Sequence, residues 1–321
     1  MFKTLVVLFL SLLIEIVVFS FYIKILKKRE ITQSVREEGP REHYKKRGTP
    51  TAGGCLIIIF LLINYFTVKI INKLPLDKSD FIFIITILSF SFIGLLDDLK
   101  IIRMKNNKGL TPKIKLLLEI IFSIVISLFI FTLFNKKTIT VFNYSINLGF
   151  LSIFVLAFLI IGWSNSYNIT DGLDGLSSGL TFIYLIGVFI IGKISKNTLL
   201  TVTSISMFFS IVAFLIFNFH PALVFMGNVG SHGLGAGLAV MSILSDLEMI
   251  FIVMGFVFIF ETISVILQVL YFKKTKGKRI FKMAPFHHHL ELTGYDEYHV
   301  NYFLYCIEII FVIIGLVIWR I

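Results

Sequence analysis

Long apolar runs dominate this chain and limit what it can fold into. A helix needs about 20 apolar residues to cross the hydrocarbon core of a bilayer. Of the 321 residues, 57% are hydrophobic and 15% are charged, which is too few polar residues to cover a soluble domain. We predict an all-α polytopic membrane protein with about ten transmembrane helices. They lie near 3–25, 52–71, 80–97, 114–134, 150–166, 175–192, 198–217, 233–245, 249–271 and 301–320.

Loop charges predict how these helices are oriented. Loops 27–50, 98–115 and 272–300 carry 20 of the 30 lysines and arginines. Basic loops favour the cytoplasm, so this bias predicts cytoplasmic loops there and both termini outside. Residues 138–149 alternate apolar and polar side chains, which predicts a small external β-hairpin. We expect one domain, 1–321, with functional loops on the cytoplasmic side at 27–50, 97–115, 165–175, 218–232 and 272–300.

The net charge of +11 favours anionic partners. Because the basic residues lie in short loops between apolar spans, we expect anionic lipids or substrates and no nucleic acid.

Acidic residues collect at the predicted cytoplasmic helix ends. Asp97 and Asp98 end the third span in GLLDDLK, and adjacent carboxylates repel unless a cation or proton lies between them. A solvated helix end is the alternative. Asn168, Asp171 and Asp174 would share one face if their segment were helical. Asp171 could instead merely cap the sixth helix. Ionisable groups at membrane depth are costly, which favours functional sites.

Glycine-rich and basic segments predict anion binding on the same side. Residues 225–237, FMGNVGSHGLGAG, open the eighth span, and free backbone N–H groups at a helix start can bind phosphate. The alternative is a membrane helix packed through its glycines. Residues 45–54, KKRGTPTAGG, and 105–108, KNNK, are further candidate anion sites.

Three consecutive histidines, His287, His288 and His289, follow MAPF. Successive helical positions differ by about 100°, so a regular helix cannot turn all three toward one metal ion. Contacts to phosphate, or a proton donor and acceptor, are the predicted roles. A solvated loop is the alternative.

Together these clusters fit one chemistry. Carboxylates for a divalent cation, with basic and glycine-rich segments for phosphates, predict Mg²⁺-assisted phosphoryl transfer from a soluble nucleotide to a lipid. A transporter is the main alternative from another class. Transporters usually place their polar groups near the midplane and show two similar halves, and we find no such repeat.

The motifs GTPTAGG, GLLDDLK, NITDGLDGL, MGNVGS and MAPFHHHLE occur in this order across the chain. Their order and spacing closely resemble those of the phospho-N-acetylmuramoyl-pentapeptide transferases of bacterial peptidoglycan synthesis. MAPFHHHLE is the most specific motif. It favours this family over sister transferases that move N-acetylglucosamine-1-phosphate to polyprenyl phosphate, which remain the closer alternative.

The resemblance implies a reaction and its partners. UDP-N-acetylmuramoyl-pentapeptide and undecaprenyl phosphate would give the first lipid-linked peptidoglycan precursor and UMP, with Mg²⁺. The implied location is the bacterial plasma membrane among its lipids, with the active site facing the cytoplasm and a homodimer as an expectation. The resemblance also implies that the ninth span, 249–271, bends and lines a lipid groove.

The resemblance further assigns residues to roles. Asp97 would act on the lipid phosphate as base or covalent nucleophile, with Asp98 beside it and His287 and His288 as catalytic contacts. The implied metal ligands are Asp97, Asp98 and the residue at position 228. The implied substrate-binding residues are Lys46, Thr51, Asn168, Asp171, Gly172, Leu173, Asp174, Asn218, Phe225, Gln268 and His289, with Phe225 stacking on uracil.

Position 228 departs from the family pattern. The family motif reads Gly-Asp-x-Gly-Ser, with a metal-binding aspartate, whereas this chain has Asn228. An amide oxygen is a weaker ligand for a hard cation than a carboxylate, so weaker metal binding is predicted here. His232 likewise stands where an apolar residue is usual, and Ala52 where methionine is usual.

Overall fold

The computed structural model describes residues 2–32, 46, 48–104, 109–142 and 144–320. The predicted anion sites at Lys45, Arg47 and 105–108 lie outside the described residues. The described chain forms twelve α-helices and one hairpin. The helices are α1 (Phe2–Lys28), α2 (Gly53–Ile71), α3 (Lys78–Met104), α4 (Pro112–Phe134), α5 (Ser152–Thr170), α6 (Leu176–Ile194), α7 (Thr198–Asn218), α8 (Asn228–Leu244), α9 (Glu248–Met254), α10 (Phe256–Lys274), α11 (Phe286–Leu292) and α12 (Glu297–Arg320).

Nine helical segments in the described chain are long and apolar enough to cross a membrane, which confirms the all-α polytopic fold. The predicted eighth span, 233–245, corresponds to α8, which is not among the nine because it has only 17 residues. Fifteen of those residues are buried. Since α2, α3 and α5 pack around it, α8 is shielded by protein rather than lipid and does not need the full length of a span.

Glycines let α2 and α3 touch the first turn of α8. A Cβ on Gly94 of α3 would lie 2.1 Å from the carbonyl oxygen of Asn228. A Cβ on Gly54 of α2 would lie 2.3 Å from the backbone nitrogen of Gly230. Any larger residue would push these backbones apart. The contact places the last turns of α3 beside the N-terminus of α8, and we call this end of the molecule the site end.

The helix that contains the third predicted span is longer than that span. We predicted 80–97, but α3 continues to Met104, so Asp97 and Asp98 lie within the helix. Both side chains are buried. The helix continues through them because other elements supply their hydrogen-bond partners, as described below.

The segment that carries Asn168, Asp171 and Asp174 is not one helix, so the shared face expected of a helix does not form. Helix α5 ends at Thr170 and α6 begins at Leu176, so the two aspartates lie in the loop between them. Gly175, with a φ of +78°, makes the left-handed turn that starts α6. The three side chains therefore owe their positions to tertiary contacts.

The predicted ninth span, 249–271, is divided into α9 and α10 at Gly255. The backbone N–H of Val257, just after the break, donates to Glu308 Oε2 of α12 at 3.2 Å. Glu308 is fully buried, so this bond satisfies a backbone group that the interrupted helix leaves without a partner. The helix is interrupted within this span, at Gly255, while the implied bend and the lipid groove stay predictions.

The predicted hairpin is confirmed at the end opposite the site. Strands β1 (Thr138–Val141) and β2 (Tyr144–Asn147) pair antiparallel. Just before β1, the buried Lys136 lies 2.7 Å from Glu248 Oε1 and also pairs with Asp246. These ion pairs fix the hairpin to the start of α9.

Candidate active site

The Asp98 carboxylate lies at the N-terminus of α8. Its Oδ1 accepts the backbone N–H of Asn228 and its Oδ2 accepts that of Val229, each at 3.2 Å. The first N–H groups of a helix have no partner within the helix and carry partial positive charge. We predicted a phosphate at such groups, but in the structure these two bind Asp98.

The Asn228 side chain connects Asp98 to α5. Its Nδ2 donates to Asp98 Oδ1 at 2.8 Å. Its Oδ1 accepts a hydrogen bond from Asn168 Nδ2, also at 2.8 Å. Asn168 donates to Ser231 Oγ as well, at 2.8 Å, which fixes its orientation. The predicted residues Asp98, Asn168 and Asn228 therefore form one continuous hydrogen-bonded chain.

Asp97 has a separate set of partners. Lys115 Nζ, in the first turn of α4, lies 3.0 Å from Asp97 Oδ2, and the N–H of Leu110 donates to Oδ1 at 2.6 Å. A Cβ on Gly109 would lie only 2.0 Å from Oδ1, so the loop before α4 packs directly on this carboxylate. The two adjacent carboxylates are thus held by different partners, a lysine for Asp97 and a helix N-terminus for Asp98.

Asp171 lies in the α5–α6 loop, where its Oδ1 accepts a hydrogen bond from Ser177 Oγ at 2.5 Å. Desolvation of the half-buried side chain raises the pKa of Asp171 to about 6; the Ser177 hydrogen bond opposes this shift, and the negative charge of Asp98 adds to it. A cation between Asp171 and Asp98 would relieve this repulsion.

Asp174 belongs to a ring of four ionisable side chains, which we call the Lys46 ring: Lys46, Asp174, His220 and Glu297. Lys46 Nζ lies 2.7 Å from Asp174 Oδ1 and 2.6 Å from Glu297 Oε1. His220 Nδ1 lies 3.0 Å from Asp174 Oδ2 and 3.3 Å from Glu297 Oε2. The ligand atoms of Asp174, His220 and Glu297 lie within 4.8 Å of one another, so this group could hold a metal ion. With Lys46 in place, however, the carboxylates already share a cation.

His287 is held by a buried glutamate. Glu261 and His287 are both fully buried, and His287 Nδ1 lies 3.1 Å from Glu261 Oε2. If Nδ1 carries the proton, Nε2 is left as an acceptor. Nε2 has no hydrogen-bond partner among the described residues, and a Cβ on Gly172 would lie 2.4 Å from it. The site therefore leaves no room for a side chain at 172, and the following Leu173 is buried in the core.

The other two histidines have different partners. His288 Nδ1 lies 2.7 Å from Glu291 Oε2, and His289 Nδ1 accepts the backbone N–H of Lys282 at 3.1 Å. The three rings of the HHH motif point to three different groups, as the helical geometry predicts.

The sequence of this chain is similar to those of known proteins. The profile of Glycosyl transferase family 4 matches residues 81–246. The phospho-N-acetylmuramoyl-pentapeptide-transferase of Staphylococcus aureus (strain bovine RF122 / ET3-1) is 41% identical over 316 residues, covering 96% of each chain. That of Geobacillus sp. (strain WCH70) is 37% identical over 311 residues, covering 96% of this chain and 95% of its own. This chain belongs to the phospho-N-acetylmuramoyl-pentapeptide-transferase family. It is therefore a multi-pass membrane protein of a transferase family.

Two residues that the family resemblance assigns to substrate bind backbone in the structure. Asn218 accepts the N–H of Gly175 at 3.1 Å and donates to the carbonyl oxygen of Val224 at 3.0 Å. Gln268 accepts the N–H groups of residues 280 and 281, each at 3.0 Å. These side chains hold the loops before α6 and α11, so any contact with substrate would add to a structural role.

Thr51 lies near Asp98, and the backbone of Phe225 is bound to the segment that contains Thr51. A Cβ on Gly227 would lie 3.0 Å from Asp98 Oδ2 and 3.1 Å from Thr51 Oγ1, which places both side chains around this glycine. Phe225 is half-buried, and its backbone is hydrogen-bonded to residues 50 and 53. The segment before α2 therefore lies at the candidate active site.

Sequence reasoning missed four residues of the site: Lys115, His220, Glu261 and Glu297. Glu261 carried a usable signal, because an ionisable residue within an apolar span is costly unless it has a function or a partner. The other three lie far along the chain from the groups they contact, and no local spacing relates them. Only the tertiary structure brings them into the site.

The donor set fits a hard cation at some positions better than at others. Asp98 and Asp171 carry carboxylate oxygens, the atoms that Mg²⁺ prefers, and the charge of Asp98 is one cause of the raised pKa of Asp171. Asn228, in contrast, turns its N–H rather than its oxygen toward Asp98. Its predicted role as a metal ligand stays a prediction, and its bonds favour the different role argued below.

Proposed function

We propose that the chain transfers phospho-N-acetylmuramoyl-pentapeptide from its UDP-linked form to undecaprenyl phosphate, giving the first lipid-linked peptidoglycan precursor and UMP. An oxygen of the lipid phosphate attacks the phosphorus that carries the sugar, and the bond to UMP breaks. The observation that carries this proposal is the meeting of GLLDDLK, NITDGLDGL, MGNVGS and MAPFHHHLE in one site of a chain 41% identical to such an enzyme.

The two aspartates of GLLDDLK take different parts in the proposed mechanism. Asp97, paired with Lys115, has one of two roles. As a base it takes a proton from the lipid phosphate; as a nucleophile it first attacks the phosphorus that carries the sugar and expels UMP, and the lipid phosphate then displaces the carboxylate. Asp98, held by the start of α8, contributes fixed negative charge beside it. His287, oriented by Glu261, supplies its Nε2 as a contact for substrate or for a proton.

The nucleotide side of the site uses the Lys46 ring and its surroundings. Lys46 is the cation that we assign to the phosphates of the uridine nucleotide, and Phe225 is the assigned platform for uracil. The remaining proposed substrate contacts are Thr51, Asn168, Asp171, Gly172, Leu173, Asp174, Asn218, Gln268, His288 and His289. In the structure Lys46 is bound to Asp174 and Glu297, so substrate has to compete with these carboxylates for it.

We infer that the enzyme uses Mg²⁺, held by Asp98 and Asp171 with Asp97 nearby. The ion would neutralise negative charge on the reacting phosphates. The proposal is supported by the raised pKa of Asp171, which follows from desolvation together with the charge of Asp98.

Location and assembly belong to the same proposal. We place the chain in the bacterial plasma membrane among its lipids, as one domain over 1–321, with the site end facing the cytoplasm. The excess of lysine and arginine in loops 27–50, 98–115 and 272–300 supports that orientation. A homodimer stays a prediction.

A turnover assay with two UDP-sugars tests this function. Purified protein with undecaprenyl phosphate and Mg²⁺ should release UMP from UDP-N-acetylmuramoyl-pentapeptide and not from UDP-N-acetylglucosamine. The opposite preference would identify a sister transferase, and no turnover of either would refute the proposal. Asp97→Asn and Asp98→Asn should each remove most turnover, because neither carboxylate has a substitute. Near-normal turnover in either variant would show that its assigned role is wrong.

A further inference from the structure

The bonds of Asn228 determine which way its amide faces. Nδ2 donates to the Asp98 carboxylate and Oδ1 accepts from Asn168 Nδ2, both at 2.8 Å. A reversed amide would place its carbonyl oxygen against a carboxylate oxygen and its N–H₂ against another N–H₂. Both bonds would become repulsive. The orientation with N–H toward Asp98 is therefore the one that this site accepts.

Asp98 is thereby supplied with three donors from the first turn of α8. The backbone N–H groups of Asn228 and Val229 and the Asn228 amide all point at its two oxygens. A buried carboxylate needs donors or a cation to offset its desolvation. Here the neutral amide of Asn228 donates to Asp98. If residue 228 were also a carboxylate, a cation would have to lie between the two groups.

We propose that Asn228 is a positioning residue that holds Asp98 by donating a hydrogen bond, and that it is not a ligand of the metal. An aspartate at this position would have no side-chain N–H to donate. It would place a second negative charge at Asp98 Oδ1, so that Asp98 would need a cation to stay in place. The residue at 228 thus decides whether Asp98 keeps its position when no metal ion is bound.

The proposal rests on the proposed function only in assuming that a divalent ion binds near Asp98, and its test does not use turnover. Purified protein, Asn228→Ala and Asn228→Asp are compared in two ways. One is Mn²⁺ binding, followed by electron paramagnetic resonance of the free ion. The other is thermal melting in detergent with EDTA or with millimolar Mg²⁺.

Asn228→Ala separates a donor from a ligand. We expect it to melt lower than the natural protein in EDTA, by about 3 °C or more for the loss of a donor to a buried carboxylate. Its Mn²⁺ dissociation constant should stay within about twofold of the natural value. A rise on the order of tenfold, equivalent to about 1.4 kcal/mol, would show that the amide oxygen is a ligand and would overturn the proposal.

Asn228→Asp should gain metal dependence. We expect it to melt lower than the natural protein in EDTA, to recover with Mg²⁺, and to bind Mn²⁺ on the order of tenfold more tightly. If the natural protein bound no Mn²⁺, the assumption that a divalent ion binds near Asp98 would fail and the proposal would be overturned. Equal melting of the two proteins in EDTA, with equal Mn²⁺ affinity, would refute it.

Asn64→Asp is the matched control. Asn64 Nδ2 also donates to a buried carboxylate, Glu15 Oε1, at 2.8 Å, but between α1 and α2 and away from the site. This variant should also melt lower, and Mg²⁺ should not restore it, because the pair lies within the packed helices. Recovery of the control by Mg²⁺ would show that the metal effect at 228 is not specific, which would also contradict the proposal.

Discussion

Replacing Glu297 by glutamine should strengthen nucleotide binding. In the structure Lys46 Nζ is shared between Glu297 Oε1 at 2.6 Å and Asp174 Oδ1 at 2.7 Å. If Lys46 binds the nucleotide phosphates, Glu297 competes with substrate for the same cation. Glutamine removes the competing charge but keeps a carbonyl oxygen, which can still accept the N–H that Asp174 donates to Glu297 Oε1.

The size of the effect follows from the geometry. Two opposite unit charges 2.6 Å apart attract by about 6 kcal/mol at an effective dielectric constant of about 20. Most of this is offset by lost hydration, because the Lys46 and Glu297 side chains are only 15% and 7% exposed. After hydration is counted, we expect glutamine at 297 to bind the Lys46 ammonium about 1 kcal/mol less strongly than Glu297 does. The dissociation constant of the nucleotide should therefore fall about fivefold.

Calorimetric titration of UDP-N-acetylmuramoyl-pentapeptide into Glu297→Gln and the natural protein measures this change. Asp296→Asn is the matched control, since it removes one negative charge from the neighbouring position, where the side chain is 77% exposed. It should alter affinity much less, because solvent screens an exposed charge. Equal affinity in Glu297→Gln and Asp296→Asn, or weaker binding in Glu297→Gln, would refute the competition.

Two further predictions test packing and topology. Gly172→Ala should lower stability by about 1–3 kcal/mol and reduce turnover, because its Cβ would lie 2.4 Å from His287 Nε2, whose ring is held by Glu261. Gly162→Ala is the control, as its Cβ would meet nothing within 4 Å, and equal melting of the two variants would contradict the close contact. Reporter fusions at Lys273 and Lys137 should report cytoplasm and exterior respectively. Reaction of the Lys273 region with an impermeant label outside intact cells would reverse the orientation.

Some predicted features were local enough to be read from the chain. Apolar runs of about 20 residues predicted most of the spans, because every helix that crosses a bilayer needs roughly that length of apolar sequence. The alternation in 138–149 predicted the hairpin, whose strand residues pair as Ile139 with Ile146. The structure departed from the sequence-based expectation where tertiary contacts override local sequence rules. Helix α3 continues through Asp97 and Asp98 because α8 and α4 supply their partners.

The sequence by itself determined that this is a polytopic helical membrane protein whose acidic, glycine-rich and histidine motifs match one transferase family. Hydrophobic length and motif order are properties of the chain, so they need no knowledge of its packing. Only the tertiary structure decided what each polar side chain binds. A buried charge takes its partner from whatever element packs beside it, which pairs Lys46 with Glu297 and His287 with Glu261. For the same reason Asn228, which the family pattern marks as a weakened metal ligand, directs its N–H to Asp98.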